Sequence, residues 1–318
     1  AARCPRQPAR RIDYITDTPR RGLLFHHGGP IPDNTSGRRV TTLDTRDTDA
    51  DTVVRAMVGR ELGAYYPPRA RPGEPGEARL TVSGGGNARI SGIDLTLRAG
   101  EVVGVAGLQG SGRTSLARAL FGVDPFTTGT MTVGGEPLRP ARPREAVRAG
   151  IALVTEDRKG EGLALHQSVA DNALLVTRAV PARGGPAARR EVTALLERVR
   201  LHAHGDDQQV QYLSGGNQQK VVIAKWLAAR PQVLLFDEPT RGVDVGAKAA
   251  IHTLVRELAR EGLAVLIISS ELPELIGMSD RILVMAEGRL AGELPAGAPE
   301  EAVMRVATGG DRAREGAA

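Results

Sequence analysis

The chain carries a single cysteine, Cys4, among 318 residues. That excludes an internal disulfide and a thiolate metal cluster, and it fits a reducing compartment, so a cytoplasmic setting is expected. Long apolar runs are missing too. The longest candidate, Leu263 to Ile268, falls far short of the roughly 18 residues a membrane helix needs. The Arg-interrupted N-terminus lacks the apolar core of a secretory signal, so the expectation is a chain that neither spans a membrane nor is exported on its own signal. Lysine is rare: only Lys159, Lys220, Lys225 and Lys248 occur, and arginine supplies the remaining positive charge, a bias of composition rather than function.

Apolar residues at 41% and charged residues at 25% are globular values, which excludes global disorder. At about 150 residues per domain, the length suits two units or one large α/β domain with appendages. Net charge is +5, but residues 1–48 alone hold nine arginines against five aspartates. The remainder is nearly neutral and offers no basic face for nucleic acid.

Residues 1–36 are Arg- and Pro-rich without helical or strand periodicity and are expected to be a disordered or non-native tail. The His26-His27 pair within them has no further ligand at metal-binding spacing. Val53, Val54, Met57, Val58 and Leu62 recur at helical spacing, and the Pro- and Gly-rich segment 65–79 reads as a linker with a boundary near Arg79. Alternation from Leu80 and again over Ile93–Leu97 predicts strands. The apolar run Val102–Gly107 then leads through a glycine-rich loop into a helix near Thr114. Beyond it the pattern predicts a strand pair within 129–138, a strand at 151–154 and a largely helical stretch at 168–199. A helix at 217–228, strand at 233–236, helix at 247–261, strand at 264–268 and hairpin at 282–294 follow. Strands alternating with helices imply an α/β fold with a mainly parallel sheet covered on both faces.

Three motifs carry chemistry. GLQGSGRT, Gly107 to Thr114, follows a buried strand and opens a helix, matching the phosphate-binding pattern G-x-x-x-x-G-K-[ST] except for Arg113. Glycines such as Gly107, Gly110 and Gly112 let backbone N–H groups curl around phosphates at the positive end of a helix, and Thr114 can offer its hydroxyl to Mg²⁺. A guanidinium is larger and more forked than the compact lysine ammonium, so turnover should suffer more than binding. VLLFDEP, Val233 to Pro239, delivers Asp237 and Glu238 at the C-terminal edge of a strand. Asp237 suits Mg²⁺, and Glu238 would lie where a carboxylate can orient or deprotonate an attacking water. LSGGNQQK, Leu213 to Lys220, places a hydroxyl and two glycines, Ser214, Gly215 and Gly216, before a helix as a second anion-binding terminus. Each motif alone has a bland reading: a tight turn, a solvated acidic strand end, an ordinary serine cap. Their order along the chain is diagnostic.

That order resembles the ATP-binding-cassette (ABC) ATPases. EDRKGEGL (156–163), LSGGNQQKVVIAKWLAARPQVLLFDEPTRGVDVGAK (213–248) and SSELPELIGMSDRI (269–282) sharpen the likeness. They look like the second nucleotide-binding domain of ribose-, galactose- and xylose-type monosaccharide importers, whose ATPase subunit is similar to two fused cassettes. The resemblance implies a P-loop NTPase core with a parallel sheet, an antiparallel β subdomain and an inserted helical subdomain at about 157–230. It covers residues 37–308: 37–79 looks like the remnant of a preceding cassette and linker, and 80–298 like the nucleotide-binding domain. Residues 299–318 look like a C-terminal helix and tail. Most of a first cassette is expected to be absent, as a frameshift or misplaced start would produce.

The resemblance further implies ATP and Mg²⁺, with Ser111, Ser115, Gln218 and Asp244 added to the nucleotide site. In that family the signature loop of one domain closes over the nucleotide held by another, so the expected partners are a first cassette or a second copy. Permease subunits would dock between core and helical subdomain, near Glu156 to Asp171, with a sugar-binding protein acting indirectly and the domain peripheral on the inner face of the membrane. Two further positions depart from the general pattern, as is typical of the second cassette in this subfamily: Glu156 stands where a glutamine is usual, as a catalytic and Mg²⁺ candidate, and Ser270 stands at the switch histidine. Serine takes no proton near pH 7, and losing such a contact costs about two to four orders of magnitude in rate. No aromatic residue between Leu80 and Glu101 is available to stack on adenine; Tyr65 and Tyr66 lie upstream. Arg113, Glu156 and Ser270 together imply a phosphate-loop half that binds nucleotide but turns it over poorly, beside an intact signature half. The competing reading is a catalytically silent nucleotide-binding module or truncated remnant. A DNA-repair or translation ATPase ranks last, because the chain has neither a long coiled-coil insertion nor a basic body.

Overall fold

The computed structural model describes four short strands between residues 13 and 41, together with residues 66–68, 76–180 and 188–309. Chain contacts divide the molecule after Tyr66. In the first unit β1 (Asp13–Ile15) pairs antiparallel with β2 (Leu24–His26), and β3 (Ile31–Pro32) with β4 (Arg39–Thr41). Strands this short cannot display alternation, so the sequence pattern gives no sign of them. The helix expected around Val53–Leu62, segment 181–187 and the tail from 310 lie outside the described residues.

In the second unit β5 (Ala78–Gly86), β6 (Ile93–Arg98) and β7 (Val102–Gly107) lead to α1 (Arg113–Leu120), β8 (Thr128–Val133), β9 (Glu136–Pro137), α2 (Pro143–Ala149) and β10 (Ile151–Val154). Three helices follow: α3 (Val169–Ala179), α4 (Ala188–Arg198) and α5 (Gly215–Leu227). The chain then alternates through β11 (Val233–Asp237), α6 (Val245–Arg260), β12 (Ala264–Ile268) and α7 (Leu272–Met278), and ends in β13 (Arg281–Ala286), β14 (Arg289–Pro295) and α8 (Glu300–Ala307). None of the described helices is long and apolar enough to cross a membrane.

The main sheet has the order β10-β11-β12-β7-β13-β14, parallel except for β14, which returns antiparallel to β13. Strands β10, β11 and β12 are buried at every residue, as expected of strands covered on both faces. A second, antiparallel sheet has the order β6-β5-β8-β9. In β6 only Ile93, Leu95 and Leu97 are buried, the period of two that puts one face inward.

Parallel strands send all their C-terminal ends to one edge. Gly107, Val154, Asp237 and Ile268 therefore end together, and because β7 lies beside β12, the loops after β7, β11 and β12 are neighbours. Helices α3 and α6 are fixed by side-chain caps. Ser168 accepts from Asp171 N at 3.0 Å, and Asp244 from Ala247 N at 2.9 Å. Helix α5 is buried along nearly its whole length, its lysines included: Lys220 Nζ donates to the Arg200 carbonyl at 2.7 Å and Lys225 Nζ to the Gly162 carbonyl at 2.6 Å. Helix α6 is tied to the sheet by a buried guanidinium, Arg256, which makes two 2.9 Å bonds to Asp280; that carboxylate also accepts from Val102 N at 2.8 Å.

Candidate nucleotide-binding site

The phosphate loop is shaped by backbone that only glycine adopts easily. Gly107, Gly110 and Gly112 have φ of 150°, 81° and 103°. A Cβ on Gly107 would also lie 2.4 Å from the Met285 carbonyl oxygen. Within the loop Ser111 is buried and its hydroxyl has no hydrogen-bond partner among the described residues. A cleft of about 980 Å³ opens over this loop. Thr114, Ser115, Glu156, Glu238 and Ser270 line it with the glycines, so the topology brings together most of the sequence candidates.

Asp237 at the end of β11 accepts from Thr114 Oγ1 at 3.3 Å. Burial pushes its carboxyl up to about 6, against the pull of the Thr114 bond. A hydroxyl and a carboxylate side by side at a phosphate loop form a hard-oxygen donor set, the chemistry that suits Mg²⁺ shared with phosphates. Glu238 follows with φ of 51°, and each of its oxygens has a neighbour: Arg113 Nη1 lies 3.9 Å from Oε1, and Ser270 Oγ donates to Oε2 at 3.1 Å. Arg113 Nη1 also donates to the Ser269 carbonyl at 2.7 Å, so the guanidinium is folded back onto the acidic strand end. The turn after Glu238 is anchored from below by Thr240, which donates to the buried Glu274 at 2.8 Å; His252 meets the same oxygen at 2.6 Å.

Among the cleft residues that sequence reasoning missed are Arg89, Arg241 and Met304. Arg241 forms an ion pair with Glu156 across the cleft wall. It sits between Glu238 and Asp244, inside a segment already singled out, so its position was legible. Met304 is brought in by α8, which no motif marks. Tyr65 lies outside the described residues.

The signature residues form a separate group. Ser214 caps α5, accepting from Asn217 N at 3.4 Å. A Cβ on Gly216 would lie 2.4 Å from Ala247 Cβ, so α5 and α6 touch there. Asp244 caps α6 at the same junction. Gln218 is turned inward, its Nε2 donating to the Val210 carbonyl at 3.2 Å. None of Ser214, Gly215, Gly216 and Gln218 lines the phosphate-loop cleft.

A solved nucleotide-free ATP-binding cassette from an ABC transporter shares the fold, with a TM-score of 0.63 over 73% of this chain and 96% of its own at 22% identity. Residues 90–241 match the ABC transporter family. Together with the relatives that follow, these findings show that the chain belongs to the ABC transporter family, as an ABC-type P-loop ATPase domain. Within that class it is similar to the ribose import ATP-binding protein RbsA 1 of Rubrobacter xylanophilus, 47% identical over 313 residues, 93% of this chain and 62% of that protein. RbsA 2 of Streptomyces coelicolor is 51% identical over 302 residues, covering 90% of this chain and 58% of its own length. The chain thus spans somewhat more than half the length of these curated relatives.

Proposed function

We propose that this domain binds ATP with Mg²⁺ and, paired with another cassette, energises import of a monosaccharide through a separate membrane permease. The observation that carries this reading is the division of the site: a phosphate loop with its carboxylates on one cleft, and a capped SGG helix start that does not line that cleft. Each half needs a partner domain, either a preceding cassette or a second copy. Residues Gly107 to Ser115 would hold the phosphates, with Thr114 and Asp237, and Glu156 beside them, disposed toward Mg²⁺, which when bound neutralises charge on the phosphates. Glu238 would orient the attacking water.

This chain supplies mainly the signature half of the competent site. Arg113 and Ser270 both engage Glu238, whereas Ser214, Gly215 and Gly216 are intact at the start of α5. Asp244, capping the neighbouring helix, would couple the two sites. A second groove, of about 370 Å³, lies between the core and α5; Phe121, Val123, Leu153 and Trp226 give it apolar walls that would take a helix of the permease, and Thr114, Glu156 and Asp237, which also line it, would join it to the nucleotide site. A sugar-binding protein would act on the far side of the membrane.

In the protein reconstituted with its partner cassette and permease, Gly215→Asp is expected to abolish transport and Arg113→Ala to reduce it only several-fold. Equal losses would sink the asymmetry. The Arg113–Glu238 approach also favours a second reading, a silent nucleotide-binding module; ATP turnover too slow to detect in the reconstituted assembly would select it.

A further inference from the structure

After β10 the chain makes a five-residue π-helical turn, Arg158–Gly162. Such turns are rare and gather at functional sites. This one is held at both ends. Asp157 Oδ1 accepts from Lys159 N at 3.1 Å and Gly160 N at 2.9 Å, while Lys225 from the far end of α5 binds the Gly162 carbonyl. The turn projects the Arg158 guanidinium into the junction between α5 and the loop that follows Glu238. There Nη1 donates to the Arg241 carbonyl at 2.8 Å, Nη2 to the Gly242 carbonyl at 3.2 Å, and Nε to Gln218 Oε1 at 3.5 Å. Its hydrogen-bond acceptors among the described residues are thus carbonyl and amide oxygens rather than carboxylates.

The same guanidinium and the carbonyl it binds together crowd position 215. A Cβ on Gly215 would lie 2.8 Å from Arg158 Nη2 and 3.1 Å from the Gly242 carbonyl oxygen. Arg241, whose carbonyl Arg158 holds, is itself ion-paired through its side chain with Glu156 on the nucleotide cleft. One chain of contacts therefore runs from the cleft wall through Glu156, Arg241 and Arg158 to Gly215 and Gln218 at the start of the signature helix.

We infer that Arg158 is a positioning residue that locks the Ser214–Gly216 helix start to the 241–242 loop, so that the signature end moves with the nucleotide cleft, and that glycine is required at 215 to seat this guanidinium. The inference rests on the proposed two-domain site and adds a residue that acts inside this domain. A planar fork reaches three acceptors at once, which the single ammonium of lysine does not.

The test uses the protein with its partner cassette and permease, measuring equilibrium binding of a fluorescent ATP analogue and transport-stimulated ATPase in five variants. Arg158→Ala is expected to lower kcat at least tenfold while changing the nucleotide Kd less than threefold, and Arg158→Lys is not expected to rescue it. Gly215→Ala is expected to cost at least tenfold with Arg158 present and less than twofold further in the Arg158→Ala background. A wild-type rate in Arg158→Ala overturns the inference. So does a parallel loss of nucleotide affinity, which would mean a merely structural role, or an equal Gly215→Ala loss in both backgrounds. Ser214→Arg, which crowds the helix start away from Arg158, separates the two levels: an assembly indifferent to it refutes the two-domain site, whereas one that needs Ser214 but not Arg158 refutes only the positioning role.

Discussion

Asp237 is a carboxylate held where ionisation is unfavourable. It is 4% exposed, and burial lifts its pKa from 3.8 to about 6. A shift of about 2 units at 1.36 kcal/mol each corresponds to about 3 kcal/mol. Because the folded-state value lies above the unfolded one, the native state holds the proton more tightly. The associated stability is full below about pH 4, is lost as pH rises to about 6, and stays lost above that. Asp237→Asn keeps the shape and removes the ionisation. In the absence of nucleotide and Mg²⁺ the variant should therefore be more stable than wild type at neutral pH by about 2 to 3 kcal/mol. For a domain of this size that raises Tm by roughly 5–10 °C. Thermal unfolding of both proteins across about pH 4 to 8 would show a gap that opens between about pH 4 and 6 and is flat beyond. Adding Mg²⁺ and ATP should narrow it, since only wild type regains its full ligand set. Equal melting temperatures at neutral pH, or a gap independent of pH between about 4 and 6, would refute the idea that this buried carboxylate destabilises the nucleotide-free fold.

Other perturbations follow from single contacts. Gly107→Ala sets a Cβ 2.4 Å from the Met285 carbonyl at a φ of 150°, so it should cost about 2 kcal/mol or more and remove ATP binding, read by denaturant melts and nucleotide titration. Asp280→Ala strands the Arg256 guanidinium, which is 1% exposed, and should cost about 3 to 5 kcal/mol in chemical denaturation. Arg113→Lys combined with Ser270→His should raise turnover at the phosphate-loop half by about tenfold or more, measured as single-turnover hydrolysis in the assembled protein.

The sequence showed the parallel core well because its signals are unbroken apolar runs, which need no period to be seen. Val102–Gly107, Ile151–Val154 and Ala264–Ile268 are unbroken apolar or small-residue runs, and the structure starts and ends those strands where the pattern does. Helices α2 and α7, seven residues each, are too short for a 3.6-residue period to be visible. The phosphate-loop candidates could be grouped because strand ends in a parallel sheet converge. Contacts that cross between elements could not: nothing in EDRKGEGL announces a π-helical turn, and nothing in SGGNQQ shows that Gln218 faces Arg158 rather than the surface. Such contacts depend on side-chain direction, which periodicity does not encode.

The asymmetry proposed for this domain converges on Glu238. Its backbone is in the left-handed region at φ of 51°, a conformation that costs a non-glycine residue roughly 1 kcal/mol. What matters for its chemistry is whether the carboxylate oxygens are available. One lies within ion-pair distance of Arg113 and the other accepts from Ser270, so a water to be activated must displace one of the two. A lysine at 113 would extend toward phosphate and vacate the first contact, and an imidazole at 270 could exchange the proton that a serine hydroxyl retains. Both substitutions therefore act on the same carboxylate. Under the proposed asymmetry, slow turnover at this phosphate loop would be a local property of three side chains, independent of the fold, and the α5 start would serve a nucleotide held elsewhere.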